Sequence, residues 1–70
     1  MSKIDSPVAG VLMQYEVKVG DAVTEGQEVA LMESMKMEIP VDAPRDGTVA
    51  KVAVAEKEVV KEGQVLLVLE

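Results

Sequence analysis

Val29-Ala30-Leu31-Met32-Glu33-Ser34-Met35-Lys36-Met37-Glu38-Ile39 can be read in two ways, and the fold depends on which is right. Ala30, Leu31, Met32, Glu33, Met35, Lys36, Met37 and Glu38 are good helix formers, and Leu31, Met35 and Ile39 recur at helical spacing. Taken alone, the stretch is a helix. The rest of the chain overrules that reading, because residues 4–33 can be written above residues 41–70 without a gap. Identical residues then meet at Asp5/Asp42, Pro7/Pro44, Gly10/Gly47, Val17/Val54, Val23/Val60, Glu25/Glu62, Gly26/Gly63, Gln27/Gln64 and Glu33/Glu70, and most other apolar positions match in kind. In this alignment residues 29–33 fall on residues 66–70, where Val65-Leu66-Leu67-Val68-Leu69 is a buried-strand run with no helix signature. Two copies of one folding unit share their local structure. Residues 28–33 are therefore expected to form a strand and residues 37–42 the next, with Met35-Lys36 as the tight turn between them.

The two copies leave over only residues 1–3 and the spacer 34–40. A residue in the spacer cannot be explained as one half of a symmetric scaffold, so chemistry is sought there first. The turn contains neither Gly nor Asn, although the favoured two-residue hairpin turns need positive φ at both central positions. Ordinary side chains in that conformation are strained by about 1–3 kcal/mol each. An unfavourable local choice at the one unrepeated place marks a functional site.

Elsewhere the pattern is short strands and turns. Residues 3–5 read as a strand stopped by Ser6-Pro7, since proline lacks an N–H and disfavours helix in the residue before it. From residue 10 to 17 the apolar positions shared by both copies are Leu12, Tyr15 and Val17, matched by Val49, Val52 and Val54. A spacing of three, then two, puts them on one face only if each copy has a β-bulge between its first and second position. Val19-Gly20-Asp21 turns the chain into a brief strand around Val23, and Glu25-Gly26-Gln27 turns it again. The second copy has Lys57-Glu58 in place of Gly20-Asp21, so either Lys57 holds a positive φ at roughly 1 kcal/mol or that turn differs. Four short strands per copy predict an all-β fold, a flattened eight-stranded antiparallel sandwich or barrel with pseudo-two-fold symmetry. The lysine hairpin is expected at one end and both termini at the other.

Composition narrows the function. Seventy residues allow one domain, residues 1–70, with a small core. The absence of Cys and His removes disulfides, thiolate chemistry and imidazole bases or ligands, and so short a chain gives no sign of a concave catalytic site. It is not expected to be an enzyme alone. A net charge of −6 and a single aromatic residue, Tyr15, argue against nucleic-acid binding, which needs a basic stripe and usually aromatic platforms. The apolar run at residues 65–69 is too short to cross a membrane, and Met1-Ser2-Lys3 has no signal-peptide character, so a cytoplasmic or matrix-like location is the default.

Glu33-Ser34-Met35-Lys36-Met37 resembles the attachment motif of biotinyl domains, usually Glu-Ala-Met-Lys-Met. The resemblance covers essentially the whole chain, including Ser6-Pro7-Val8-Ala9-Gly10, the Gly20-Asp21 turn, Glu25-Gly26-Gln27, Ala43-Pro44-Arg45-Asp46-Gly47 and the closing residues 65–69. It implies the barrel-sandwich hybrid fold shared with lipoyl domains. It also implies that Lys36 is the lysine whose ε-amine a biotin protein ligase acylates, which requires the side chain to be exposed and able to lose a proton. Met35 and Met37 match the flanking methionines that mark biotin sites, where lipoyl domains carry Asp and Ala. They are either ligase contacts or strand residues packed on the barrel end. Glu33 recurs as Glu70, which gives it a largely structural role beside any part in ligase recognition, Ser34 stands where the family usually has Ala, and Glu38 and Ile39 read as hairpin residues. No thumb insertion fits between Val17 and Val23, so the chain looks like the thumbless carriers of pyruvate carboxylase, transcarboxylase and related acyl-CoA carboxylases, and matches small freestanding biotin/lipoyl attachment proteins in length.

The resemblance implies a carboxyl carrier, monomeric on its own, with biotin on Lys36 and a biotin carboxylase and a carboxyltransferase as partners. A lysine side chain plus the biotin tail is an arm of about 14 Å, from about ten single bonds. Tethering makes each delivery effectively intramolecular. Two other readings stand beside it: a lipoyl carrier or dual acceptor of lipoate and biotin, against which the Met pair argues, and an unmodified barrel used as an interaction module. The last has no reason to keep a lysine between two methionines.

Overall fold

The computed structural model describes residues 2–70, all strand and turn with no helix among them. In chain order the strands are β1 (Ser2–Asp5), β2 (Gly10–Tyr15), β3 (Ala22–Val23), β4 (Glu28–Ser34), β5 (Met37–Asp42), β6 (Gly47–Val52), β7 (Val59–Val60) and β8 (Val65–Leu69). The stretch with helical propensity is two strands, because Leu31 and Met32 serve opposite faces of a sheet: Met32 is fully buried while Leu31 is only partly buried. Local propensity yields here to long-range pairing.

The strands form two antiparallel four-stranded sheets, ordered β1-β8-β6-β3 and β5-β4-β2-β7. Moving each first-copy strand to its repeat mate turns β1, β2, β3 and β4 into β5, β6, β7 and β8, and carries one order into the other. The register obeys the same rule: Ser2 faces Leu69, and their mates Ile39 and Met32 face each other. The hairpin end of one sheet therefore occupies the place that the β1–β8 end holds in the other.

Both bulges are present at equivalent points, with register shifts between Leu12 and Gln14 and between Val49 and Lys51. Each falls inside the three-residue spacing that required it. The turns match too. Gly20 N–H donates to the Val49 carbonyl at 2.9 Å and Lys57 N–H to the Leu12 carbonyl at 2.6 Å, so each copy's turn is fastened to the bulged strand of the other. Gly20 has φ +97° and Lys57 has φ +73°, so the lysine does hold the glycine-like conformation. In the next turn the Gln27 and Gln64 side-chain carbonyls accept from Thr24 N–H and Lys61 N–H, both at 3.0 Å. That is why Glu-Gly-Gln is repeated intact.

The core lies between the sheets and is built from inward residues of both copies, including Leu12, Val29, Met32, Val49, Leu66, Leu67 and Leu69. At 30 × 19 × 17 Å the domain has room for one layer of side chains between its sheets. In one respect the copies differ from the expected symmetry. Tyr15 packs against the core with its hydroxyl between the carbonyls of Val54 (2.6 Å) and Leu66 (3.0 Å), whereas its mate Val52 is 37% exposed. A tyrosine spans from the bulge to those carbonyls; a valine is too short. Burial is the main cause that raises the Tyr15 phenol above its ordinary 10.0; the hydrogen bond to Val54 opposes it, and the nearby Glu56 and Glu58 carboxylates reinforce it.

Candidate functional site

The β4–β5 ladder runs down to Ser34 facing Met37, leaving Met35 and Lys36 as a two-residue turn. Met35 has φ +54° and Lys36 φ +64°. Both central residues thus take the left-handed conformation that matches the twist of a hairpin, and neither is glycine. The anticipated strain is present at the anticipated residues. Ordinary L-residues there are disfavoured by roughly 1–2 kcal/mol each, so the rest of the hairpin must hold the turn in place.

The hairpin base supplies that hold. Ile39 packs on the core and Met32 is fully buried beside it. The Met32 sulfur lies 3.0 Å from the hydroxyl of Ser6, a buried residue whose Oγ also reaches the Val8 carbonyl. Ser34 Oγ donates to the Ala9 carbonyl at 2.9 Å, tying the last residue of β4 to the segment before β2. Gly10 follows, and a Cβ built there would meet the Glu33 carbonyl oxygen well inside the 3.0 Å that real Cβ atoms keep. Only glycine lets β2 approach the hairpin base so closely. Gly10 and Ala9 were not visible as site-building residues in the sequence. The signal that could have found Gly10 is its identity with Gly47 at the same point of the second copy.

Beyond that base the turn stands in solvent. Lys36 is exposed, and Met35 and Met37 are 91% and 64% exposed, so neither methionine packs on the barrel end. Large apolar side chains held in water on both sides of a lysine are unusual for a scaffold and suited to a partner's surface. Glu33 and Glu38 lie exposed and directly opposite each other. Glu33, Ser34, Met35, Lys36 and Met37 are thus brought together on one hairpin, Ser34 facing its base and the other four outward. A primary amine on a rigid, protruding turn can be acylated by an enzyme that closes over it, and its linear side chain then becomes part of a longer arm.

A shallow groove between β1 and β5 is lined by Lys3, Ile4, Asp5, Pro7, Pro40, Val41, Asp42 and Pro44. Each of these residues has its repeat mate among the others, so the groove lies on the pseudo-two-fold and is a product of the symmetry.

The family described as "Biotin-requiring enzyme" matches residues 2–69. A biotin/lipoyl attachment protein of Bacillus subtilis (strain 168) is 53% identical over 62 residues, which are 89% of this chain and 85% of that protein. The mitochondrial propionyl-CoA carboxylase alpha chain of Homo sapiens is 44% identical over 69 residues, 99% of this chain but only 10% of the human one. Among solved structures, the urea carboxylase of Kluyveromyces lactis superposes with a TM-score of 0.92 and 29% identity, over 99% of this chain and 6% of that one. The chain thus spans a small part of these carboxylases and most of the attachment protein. With its two mated sheets and protruding lysine hairpin, this chain belongs to the biotin/lipoyl attachment domain family.

Proposed function

We propose that this domain is a biotin carboxyl carrier, acylated on Lys36 by a biotin protein ligase and serving a biotin carboxylase and a carboxyltransferase. The observation that carries the reading is the Met35-Lys36-Met37 tip: an exposed amine between two exposed methionines, on a tight turn that glycine or asparagine would make at less cost. The similarity to carboxylase chains supports biotin as the group. In the acylation, Lys36 Nζ attacks the acyl carbon of biotinyl-adenylate; the amide forms, the acyl–phosphate bond breaks, AMP leaves and the Nζ proton passes to solvent. The residues fit this requirement, since an amide link needs an exposed amine and nothing around the turn obstructs a bulky acyl group. When bound, biotin accepts carboxylate at one enzyme site and yields it at another.

The protein's own contribution is mechanical. The ladder up to Ser34 and Met37, the Ser34–Ala9 hydrogen bond and the Gly10 contact fix the root of the arm, so that only the side chain and its acyl group swing. A fixed root raises the effective concentration of the carried group at any site within reach. Lipoate is the competing group, because the Bacillus subtilis relative is named for both.

Intact mass after incubation with biotin, ATP and a biotin protein ligase, beside a parallel reaction with lipoate and a lipoate ligase, tests the reading. One biotin increment is expected, abolished in Lys36→Ala with the melting temperature unchanged within about 4 °C, as about 0.5 kcal/mol at an exposed position allows. An increment from lipoate alone would move the domain to acyl-transfer chemistry, and a labelled Lys36→Ala would sink the site assignment.

A further inference from the structure

The repeat gives each strand position a mate on the other sheet, so the chain contains its own control for what the scaffold needs. On the hairpin sheet Val59, Val11, Glu33 and Glu38 form one register row across β7, β2, β4 and β5. The mates of the first three are Ala22, Thr48 and Glu70. Two residues further along, Gln14, Leu31 and Pro40 face one another, and their mates are Lys51, Val68 and Lys3. Every apolar difference runs the same way: valine replaces alanine, valine replaces threonine, and leucine replaces valine on the sheet that bears Lys36. The charges also diverge, with Lys51 and Lys3 on one face where the other has Gln14 and Pro40.

Two features of the hairpin face go beyond what the repeat requires: a bare valine at position 59, and Glu38 set against the Glu33 that both copies share. Val59 is 75% exposed at a position where β3 manages with alanine. Glu33 and Glu38 set like charges directly opposite each other, a destabilising cross-strand pair. Both become favourable only when a surface with an apolar centre and a basic rim covers them.

We propose that this outward face, seated on Val59 and Val11 and edged by Glu33 and Glu38, is where the ligase that acylates Lys36 docks; the proposal rests on the acceptor reading above. The occupant follows from the order of events. Before acylation the domain carries no prosthetic group, so the ligase must take its affinity and its choice among exposed lysines from protein surface alone. A carboxylase site can hold the attached group itself. Two and a half strand spacings, since Lys36 turns between β4 and β5, and about two residues of rise put Val59 roughly 14 Å from Lys36, within one standard footprint of about 800 Å² per partner. Lys3 and Lys51 repel a basic rim, so the pseudo-symmetric face is rejected although its backbone is the same.

The test is kcat/KM for biotin transfer to the full chain by a biotin protein ligase with biotin and ATP, comparing Val59→Glu with its mate substitution Ala22→Glu. Both positions are exposed, and thermal melts check that both variants fold. Val59→Glu is expected to lower kcat/KM at least tenfold, mainly through KM, while Ala22→Glu stays within twofold. The non-acceptor Lys36→Arg domain should inhibit transfer to wild type, and adding Val59→Glu to it should remove that inhibition. Equal effects of the two glutamates, or a Val59→Glu domain ligated as fast as wild type, overturn the proposal and leave the face to another partner. Failure of the wild-type domain to take biotin would instead refute the acceptor reading.

Discussion

Alanine at Gly10 sets a methyl group against the Glu33 carbonyl, a backbone atom at the hairpin end of the β2–β4 ladder. To restore an ordinary contact the strands must part by about 1 Å, at the point where the hairpin base is fastened. Overpacking of this kind costs about 1–3 kcal/mol. For a domain this small, a loss of about 2 kcal/mol lowers the melting temperature by roughly 8–16 °C. The mate substitution is the natural control. At Gly47 the nearest atoms are Arg45 Nη1 and the Glu70 carbonyl oxygen, both at 3.1 Å, with Leu69 Cβ at 3.3 Å. The first belongs to a flexible side chain, and at these distances the neighbours need give only a few tenths of an ångström, so Gly47→Ala should cost less than about 1 kcal/mol. Calorimetric melts and urea titrations of the two variants measure the difference, and amide exchange at residues 34–37 locates it. Equal destabilisation of the two, or a Gly10→Ala domain melting within 2 °C of wild type (about 0.5 kcal/mol), would refute the reasoning.

Two further outcomes follow from the structure. Tyr15 is the only tyrosine and there is no tryptophan, so alkaline absorbance titration reports this phenol alone; its midpoint should lie above 10.0. Because its folded value is raised, the folded state holds the proton longer than the unfolded one. The resulting stability is intact below pH 10, is lost as pH rises through the raised value, and should be missing from the alkaline limb of Tyr15→Phe. Lys57→Gly removes a left-handed lysine disfavoured by about 1–2 kcal/mol and adds glycine's unfolded-state entropy of about 0.4–1 kcal/mol, for a net gain of about 0.8 kcal/mol by urea unfolding. A net loss would mean that the Lys57 side chain contributes more than its strained backbone costs.

Much of this was legible in the chain because the repeat supplies a second opinion at each position. It overruled helical propensity in residues 29–39 and placed both bulges from a spacing of three then two, and the two-residue turn it left between the strands called for positive φ at Met35 and Lys36, all of which the structure carries; for Lys57 it left two possibilities, of which the structure has the positive φ. What stayed hidden depends on which strands are neighbours. That β2 pairs with β4 and β7 is not encoded locally, so neither the tight seat of Gly10 on Glu33 nor the row from Val59 to Glu38 could be seen. The exposure of Val52 was hidden for a different reason. Symmetry predicts equal places for Tyr15 and Val52, but only the longer side chain can use its place.

The strand order also fixes a sequence in time. Among the described residues β4 and β5 are the only sheet neighbours that follow one another in the chain; every other pairing joins distant segments, and β1 must wait for β8. Chains dominated by such non-local pairing fold slowly. β8 lies inside its sheet and contributes Leu66, Leu67, Val68 and Leu69 to the buried set, so the first sheet cannot assemble until β8 has left the ribosome. The lysine hairpin can zip early as a local unit, while the face proposed above for docking exists only once β2 and β7 have joined. An enzyme that reads that surface modifies finished domains and passes over nascent ones.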